Sequence, residues 1–167
     1  DVTGRVALDL GASTGGFTDC LLQRGAAKVY AVDVGHGQLD ARLRADPRVV
    51  NIEKTHARDL APEAFSPRPT LAVVDVSFIS LTLVLKPLLA CLERPAQVVT
   101  LVKPQFELEP KKAPKGVVKD DAHRAEALRR VQTTAAALGL KERGVVESPL
   151  AGAKGNREWL IWWQTGG

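Results

Sequence analysis

The chain has no methionine, two cysteines, three histidines and one tyrosine. Each scarcity removes a class of chemistry. Cys20 and Cys91 lie in apolar helical patterns without metal-ligand spacing. They read as reduced core thiols of a cytoplasmic protein, not as a disulfide framework. His36, His56 and His123 are scattered, so no metal centre is expected. No apolar run approaches the ~18 residues needed to cross a bilayer, and no signal-peptide pattern opens the chain, so no membrane partner is expected. No internal repeat is visible, which argues against a solenoid. The lack of methionine, with Asp1 almost directly before a strand-like run, gives the expectation of a piece of a longer protein.

What remains is an ordinary globular composition. At 167 residues, 45% apolar and 25% charged, residues 1–167 are expected to form one domain with its own core. The net charge of +4 permits a polyanionic partner. Strand-like runs stand at 5–10, 28–35, 48–52, 71–78 and 96–104, with helical patterns at 16–25, 38–46, 80–93 and 121–140. Pro87 is expected to bend or split the third helix. Ala125, Leu128, Val131, Ala135 and Leu138 mark one face of the fourth. Residues 105–119, rich in lysine and proline, read as an exposed loop, and the runs at 140–149 and 156–164 as a terminal hairpin-like edge. Such alternation predicts a mostly parallel α/β sheet covered on both faces. Ligands of such sheets sit beyond the C-terminal strand ends. Residues 10–16, 33–35, 75–78 and 103–105 are expected on that rim.

The run LDLGASTGGFTD (8–19) couples a buried strand to a glycine turn and a helix. In a dinucleotide fingerprint the second glycine lets the backbone approach a pyrophosphate. Here Ser13 occupies that position, between Gly11 and the pair Gly15–Gly16. Asp9 precedes the turn, where its charge disfavours phosphate and favours an ammonium group. Asp33 ends the next strand about 20 residues on, a spacing that suits ribose hydroxyls. A ligand with a ribose, an ammonium and no pyrophosphate fits S-adenosylmethionine better than NAD. A tight turn with a strand-ending aspartate is the structural alternative.

The segments DLGASTGGFTDCLLQRGAAKVYAVDVGHGQL, VVDVSFISL, LVKPQFE, KGVVKD and SPLAGAKGNREWL together resemble the TlyA family of FtsJ-like ribosomal-RNA 2′-O-methyltransferases, often called hemolysins. The resemblance implies a Rossmann-like methyltransferase fold: a mostly parallel seven-stranded sheet, helices on both faces and an antiparallel last strand. It implies S-adenosylmethionine at Gly11–Gly16 and Asp33, with Asp59 near the adenine; a cap or surface charge is the other reading of Asp59. It implies ribosomal RNA in ribosomal subunits as the partner, and an S4-like RNA-binding module before the domain, absent here.

FtsJ-type enzymes use a Lys-Asp-Lys-Glu tetrad, and the motifs match three members to Asp75, Lys103 and Glu158. A ribose hydroxyl is a poor nucleophile until deprotonated, and a lysine accepts that proton only if its pKa falls from about 10.4. On this reading Lys103 is the base, and Asp75 and Glu158 orient it. By strand alternation Glu158 shares a face with Leu160 and Trp162, and Lys103 is its expected partner. The first lysine belongs to a segment before the glycine strand. These 167 residues are therefore expected to bind S-adenosylmethionine but to transfer methyl groups poorly. Lys111, Lys112, Lys115 and Lys119 either contact RNA phosphates or are solvated charges. Trp159, Trp162 and Trp163 read as core and edge packing, and Phe17 as a pocket wall or a core residue. The alternative functions are a non-catalytic S-adenosylmethionine- or RNA-binding module and a hemolysin-type pore-associated protein. A helix-packed sheet offers no physical route to lysis.

Overall fold

The computed structural model describes residues 1–166; Gly167, the last residue of the expected domain, lies outside the described residues. Five parallel strands come first: β1 (Val6–Leu10), β2 (Lys28–Val32), β3 (Val49–Ile52), β4 (Leu71–Val74) and β5 (Gln97–Val102). Two antiparallel strands, β6 (Leu140–Glu147) and β7 (Trp159–Thr165), complete a seven-stranded sheet of order β3-β2-β1-β4-β5-β7-β6. The expected terminal pair exists, but it is not a simple edge. The last strand inserts between β5 and β6, and only β6 is left at the margin.

β4 shows why the parallel half is central. Its LAVV run is buried at all four positions, as a strand covered on both faces requires. On one face α3 (Leu81–Cys91) and α5 (Asp121–Ala137) close the main core over Leu8, Val32, Val74, Val98 and Trp163. On the other, α1 (Gly16–Gln23) packs on Ala7, Val29 and Val73. Leu85 and Leu88 of α3 are wholly buried, each contributing about 1.5–3 kcal/mol by area removed from water. Pro87 does not split α3; a single helix runs through it, held by buried leucines on both sides of the proline. The face of α5 is buried at Ala127, Val131 and Ala135, with Leu128 and Leu138 packed at its margin.

Segment 105–119 is not a plain exposed loop. It holds α4 (Pro104–Glu107) and two short 3₁₀ turns, and Glu107, Ala113 and Val118 are buried. Asn156 anchors it, accepting from Val118 N at 3.0 Å and donating to Gly116 O at 2.8 Å. The tryptophans divide. Trp163 is buried and donates to Thr100 Oγ1 at 2.9 Å, Trp159 packs at the core margin, and Trp162 is 44% exposed on the opposite face.

Candidate active site

The glycine turn follows β1 because the backbone there must adopt conformations that side chains resist. Gly11 has φ +87°, and a Cβ on it would lie 2.0 Å from the Asp75 carbonyl oxygen. Glycine therefore lets the turn after β1 press against the chain leaving β4. Gly11 N and Ala12 N both donate to Val32 O, at 2.8 and 3.0 Å. The Asp33 carboxylate finishes the clamp, accepting from Ser13 N and Gly35 N, each at 2.8 Å. Asp33 thus shapes the turn with both oxygens, while a free lone pair on each remains for a ligand hydroxyl.

Beyond these strand ends lies a cleft of about 930 Å³. Gly11, Ser13, Asp33 and Asp75 line it, with Val34, Phe78, Ile79 and Leu83 giving apolar wall. Three of the residues expected at the cofactor, Gly15, Gly16 and Asp59, do not line this cleft. Gly15 and Gly16 border a separate depression with Arg42 and Arg48 instead. Gly15 is required by packing, since a Cβ there would stand 2.2 Å from Leu43 Cδ1. Asp59 is exposed on a 3₁₀ turn (Ala57–Asp59) and does not line the cleft, whereas His56, Ala57 and Arg58 do. The chain reaches the cleft one residue before Asp59, so the motif THARDL brings its segment to the cleft wall. Phe17 packs on the core cluster beneath α1.

Asp9 is fully buried and does not line the cleft, so direct contact with a ligand ammonium is not how it acts in this conformation. Its Oδ2 accepts from Thr18 Oγ1 at 2.7 Å, and its Oδ1 has no partner. Burial pushes its pKa up to about 6; the Thr18 hydroxyl draws it down, and the Asp75 and Asp33 charges add to the rise. The carboxylates beside the turn, with Arg58 the one cationic side chain among the lining residues, suit a positively charged ligand group and repel a pyrophosphate. The apolar wall suits an adenine. On these grounds the cleft fits S-adenosylmethionine.

At the ends of β4 and β5, Asp75 and Lys103 meet. Lys103 Nζ lies 2.6 Å from Asp75 Oδ1 and donates to Ser77 Oγ at 3.0 Å. Glu158, one residue before β7, is buried against Gly152, where a Cβ would stand 1.9 Å from its Oε1. Burial pushes its pKa up, the Lys103 charge opposes this, and the Asp75 charge adds to it. The three residues picked from sequence therefore share one neighbourhood. The direct ion pair of Lys103 is with Asp75, not with Glu158 as expected from strand alternation. Glu158 sits outside the strand, so alternation did not govern its direction.

The sequence reading placed residues 75–78 on the rim but gave Ser77 and Phe78 no role of their own. Phe78 is 90% exposed at φ +63° and packs on Phe106 with ring centroids 5.0 Å apart. A phenylalanine in the left-handed region is strained, and here that strain sets an exposed ring on the cleft wall. The loop lysines are partly spent within the domain. Lys111 pairs with Glu109 and Lys112 with Glu126, each at 2.7 Å, while Lys115 and Lys119 are exposed.

Comparison with known proteins agrees with this geometry. The family model described as FtsJ-like methyltransferase matches residues 1–165. The 16S/23S rRNA (cytidine-2′-O)-methyltransferase TlyA of Mycobacterium tuberculosis is 53% identical over 98% of this chain, which spans 62% of that relative's length. Hemolysin A of Brachyspira hyodysenteriae is 47% identical over 95% of this chain and 67% of its own length. A crystal structure from Lactococcus lactis, presented as a hemolysin, superposes with a TM-score of 0.97 at 41% identity, covering 99% of this chain and 80% of that one.

Proposed function

Since the chain belongs to the FtsJ-like methyltransferase family, we propose that it is the catalytic domain of a cytoplasmic ribosomal-RNA 2′-O-methyltransferase. S-adenosylmethionine is the cofactor of this family and supplies, when bound, a methyl group made electrophilic by its sulfonium. The ribosomal-RNA substrate rests on the name of the Mycobacterium tuberculosis relative, of which this chain spans 62%.

The observation that carries the reading is the Lys103–Asp75 pair, 2.6 Å apart beside a glycine turn built for a cationic ligand. Ser77 Oγ accepts one N–H of Lys103, and Asp75 holds the nitrogen as an ion pair outside hydrogen-bond alignment, leaving a position for a ribose hydroxyl. With Lys103 in its neutral form, the nitrogen lone pair takes the ribose proton as the oxygen attacks the methyl group. Asp75 and Ser77 fix the nitrogen in place, and Glu158 lies within reach of its charge. Methyl transfer is an in-line displacement, so orientation of this kind supplies much of the acceleration. Gly11, Ser13 and Asp33 are the cofactor-contacting residues of this proposal. Phe78 offers an exposed ring on which a nucleobase stacks, a contact worth about 1–3 kcal/mol.

Tritium transfer from labelled S-adenosylmethionine to ribosomal subunits tests the reading. It is measured on the 167-residue chain and on the same chain extended with the N-terminal segment of the Mycobacterium tuberculosis relative. Transfer to a ribose hydroxyl that vanishes in Lys103→Ala and Asp75→Ala, with cofactor binding retained, is the expected outcome. Equal transfer by wild type and Lys103→Ala overturns the assignment of the base. Strong transfer by the 167 residues alone overturns the expectation that they are a weak catalyst.

A further inference from the structure

Two loops build the acceptor end of the cleft: residues 75–80, between β4 and α3, and residues 103–107, after β5. Asp75 to Ser80 carries most of the reactive groups but contains no regular structure to hold them. Its fasteners come from the second loop. Pro104 opens α4, which puts Lys103, Phe106 and Glu107 at the i, i+3, i+4 positions of one short helical face. Lys103 reaches Asp75 and Ser77, and Phe106 packs on Phe78. Glu107, only 3% exposed, takes the far end of the loop. Its Oε1 accepts from Leu81 N at 2.8 Å, and its Oε2 accepts from Ser80 Oγ. Ser80 is in turn the N-cap of α3, accepting from Thr82 N at 3.1 Å.

A carboxylate is costly to bury, and this one touches neither the Asp75–Lys103 pair nor, as a lining residue, the cleft. Packing alone gives no reason for a charge here, because an apolar side chain fills such a space at lower cost. Its geometry supplies the reason. It ties the start of α3, and so the end of the reactive loop, to the segment that begins with Lys103.

We propose that Glu107 is a positioning residue of the methyl-transfer site, whose buried carboxylate fixes loop 75–80 relative to Lys103 and thereby sets the placement of Ser77 and Phe78. The inference rests on the function proposed above for its catalytic consequence, but the fastening itself does not. Without the carboxylate, Leu81 N–H and Ser80 lose their partner, and the loop is held by Lys103, by Phe106, by the Asp75 N–H bond to Leu10 O and by Val76 and Ile79 against the core.

Hydrogen exchange on the 167-residue chain tests the fastening directly. In Glu107→Ala, exchange of amides 76–83 rises about ten-fold or more, while that of β1 and β2 stays near wild type. Val131→Ala, in the buried face of α5, lowers overall stability without touching this loop and must not raise exchange there selectively. Glu107→Gln keeps an oxygen for Leu81 N–H and presents an amide to Ser80, so it restores protection. In the extended chain, Glu107→Ala loses about 10²-fold in kcat with the cofactor KM within about two-fold, and Glu107→Gln recovers most of it. If Glu107→Ala does not fold, Glu107→Asp replaces it. That variant draws the carboxylate back by one methylene and loosens the loop where Glu107→Gln does not.

Loop exchange in Glu107→Ala no greater than in Val131→Ala overturns the proposal, as does a loosened loop with wild-type kcat. Identical behaviour of Glu107→Asp and Glu107→Gln also overturns it. Absence of methyl transfer by the wild-type extended chain counts against the functional reading, and the exchange comparison still decides whether Glu107 fastens the loop.

Discussion

Replacing Asp9 with asparagine should make the ligand-free protein less sensitive to pH and weaken its hold on the cofactor. Asp9 has no exposed surface, one oxygen bonded to Thr18 and one with no partner. Burial raises its pKa from 3.8 to about 6. The folded state therefore holds the proton more tightly than the unfolded chain. Below about pH 3.8 both states are protonated and the group costs nothing. Between there and about pH 6 the unfolded chain ionises first, so stability falls as pH rises. Above that window the cost is fully present. A shift of about two units corresponds to about 3 kcal/mol.

Asp9→Asn does not ionise and keeps an oxygen for Thr18, but turns an amide nitrogen toward the site without a partner. Leaving that nitrogen unsatisfied costs about 1–3 kcal/mol, so the absolute gain at neutral pH is small. The slope carries the test. The stability difference between variant and wild type should grow by about 2 kcal/mol or slightly more from pH 4 to pH 7.5, because other titrations cancel in the difference. Urea unfolding at a series of pH values measures it. A difference that stays flat over this range refutes the claim that Asp9 holds a buried proton. By calorimetry at pH 7.5, S-adenosylmethionine should bind about ten-fold more weakly to Asp9→Asn, a loss of about 1.4 kcal/mol. Unchanged affinity would mean that Asp9 contributes no field to the cleft.

Other outcomes follow from the same geometry. Gly11→Ala places a Cβ 2.0 Å from a backbone oxygen at φ +87°, and should lower stability by about 3 kcal/mol or more and abolish cofactor binding. Gly16→Ala, with nothing within 4 Å of the added atom, should be neutral or slightly stabilising; thermal melts compare the two. Asn156→Ala leaves Val118 N–H unpaired, and should cost about 1–3 kcal/mol and raise proteolytic cleavage within residues 113–118. Phe78→Ala should raise the KM for the RNA substrate about ten-fold or more while weakening cofactor binding in calorimetry only slightly, because Val34, Ile79 and Leu83 keep the rest of the apolar wall.

Much of this fold was legible because parallel strands leave long apolar runs. LAVV at 71–74 and QVVTLV at 97–102 are such runs, and both are strands. The rim was legible too, since it follows from strand ends alone. Side-chain direction at chain irregularities was not. Glu158 lies just outside its strand, Asp59 one residue beyond the cleft wall, and Asp9 under the turn rather than facing its ligand. The lysine–proline segment hid its anchors because Glu107 reads as one more charge among many and the pair Val117–Val118 is too short a run to mark an element. Phe78 lay within the expected rim 75–78, but nothing in DVSF announces a left-handed phenylalanine.

The interior position of β7 sets an order of assembly. Until residues 159–165 exist, β6 has no neighbour and one flank of β5 stays open. Glu158 arrives with that same stretch. During synthesis the parallel half can form first, but closure of the sheet and completion of the acidic surroundings of Lys103 are one event. A chain interrupted shortly before Trp159 would carry the turn and the lysine yet present a sticky, unfinished margin, which marks it for aggregation or proteolysis rather than for partial activity.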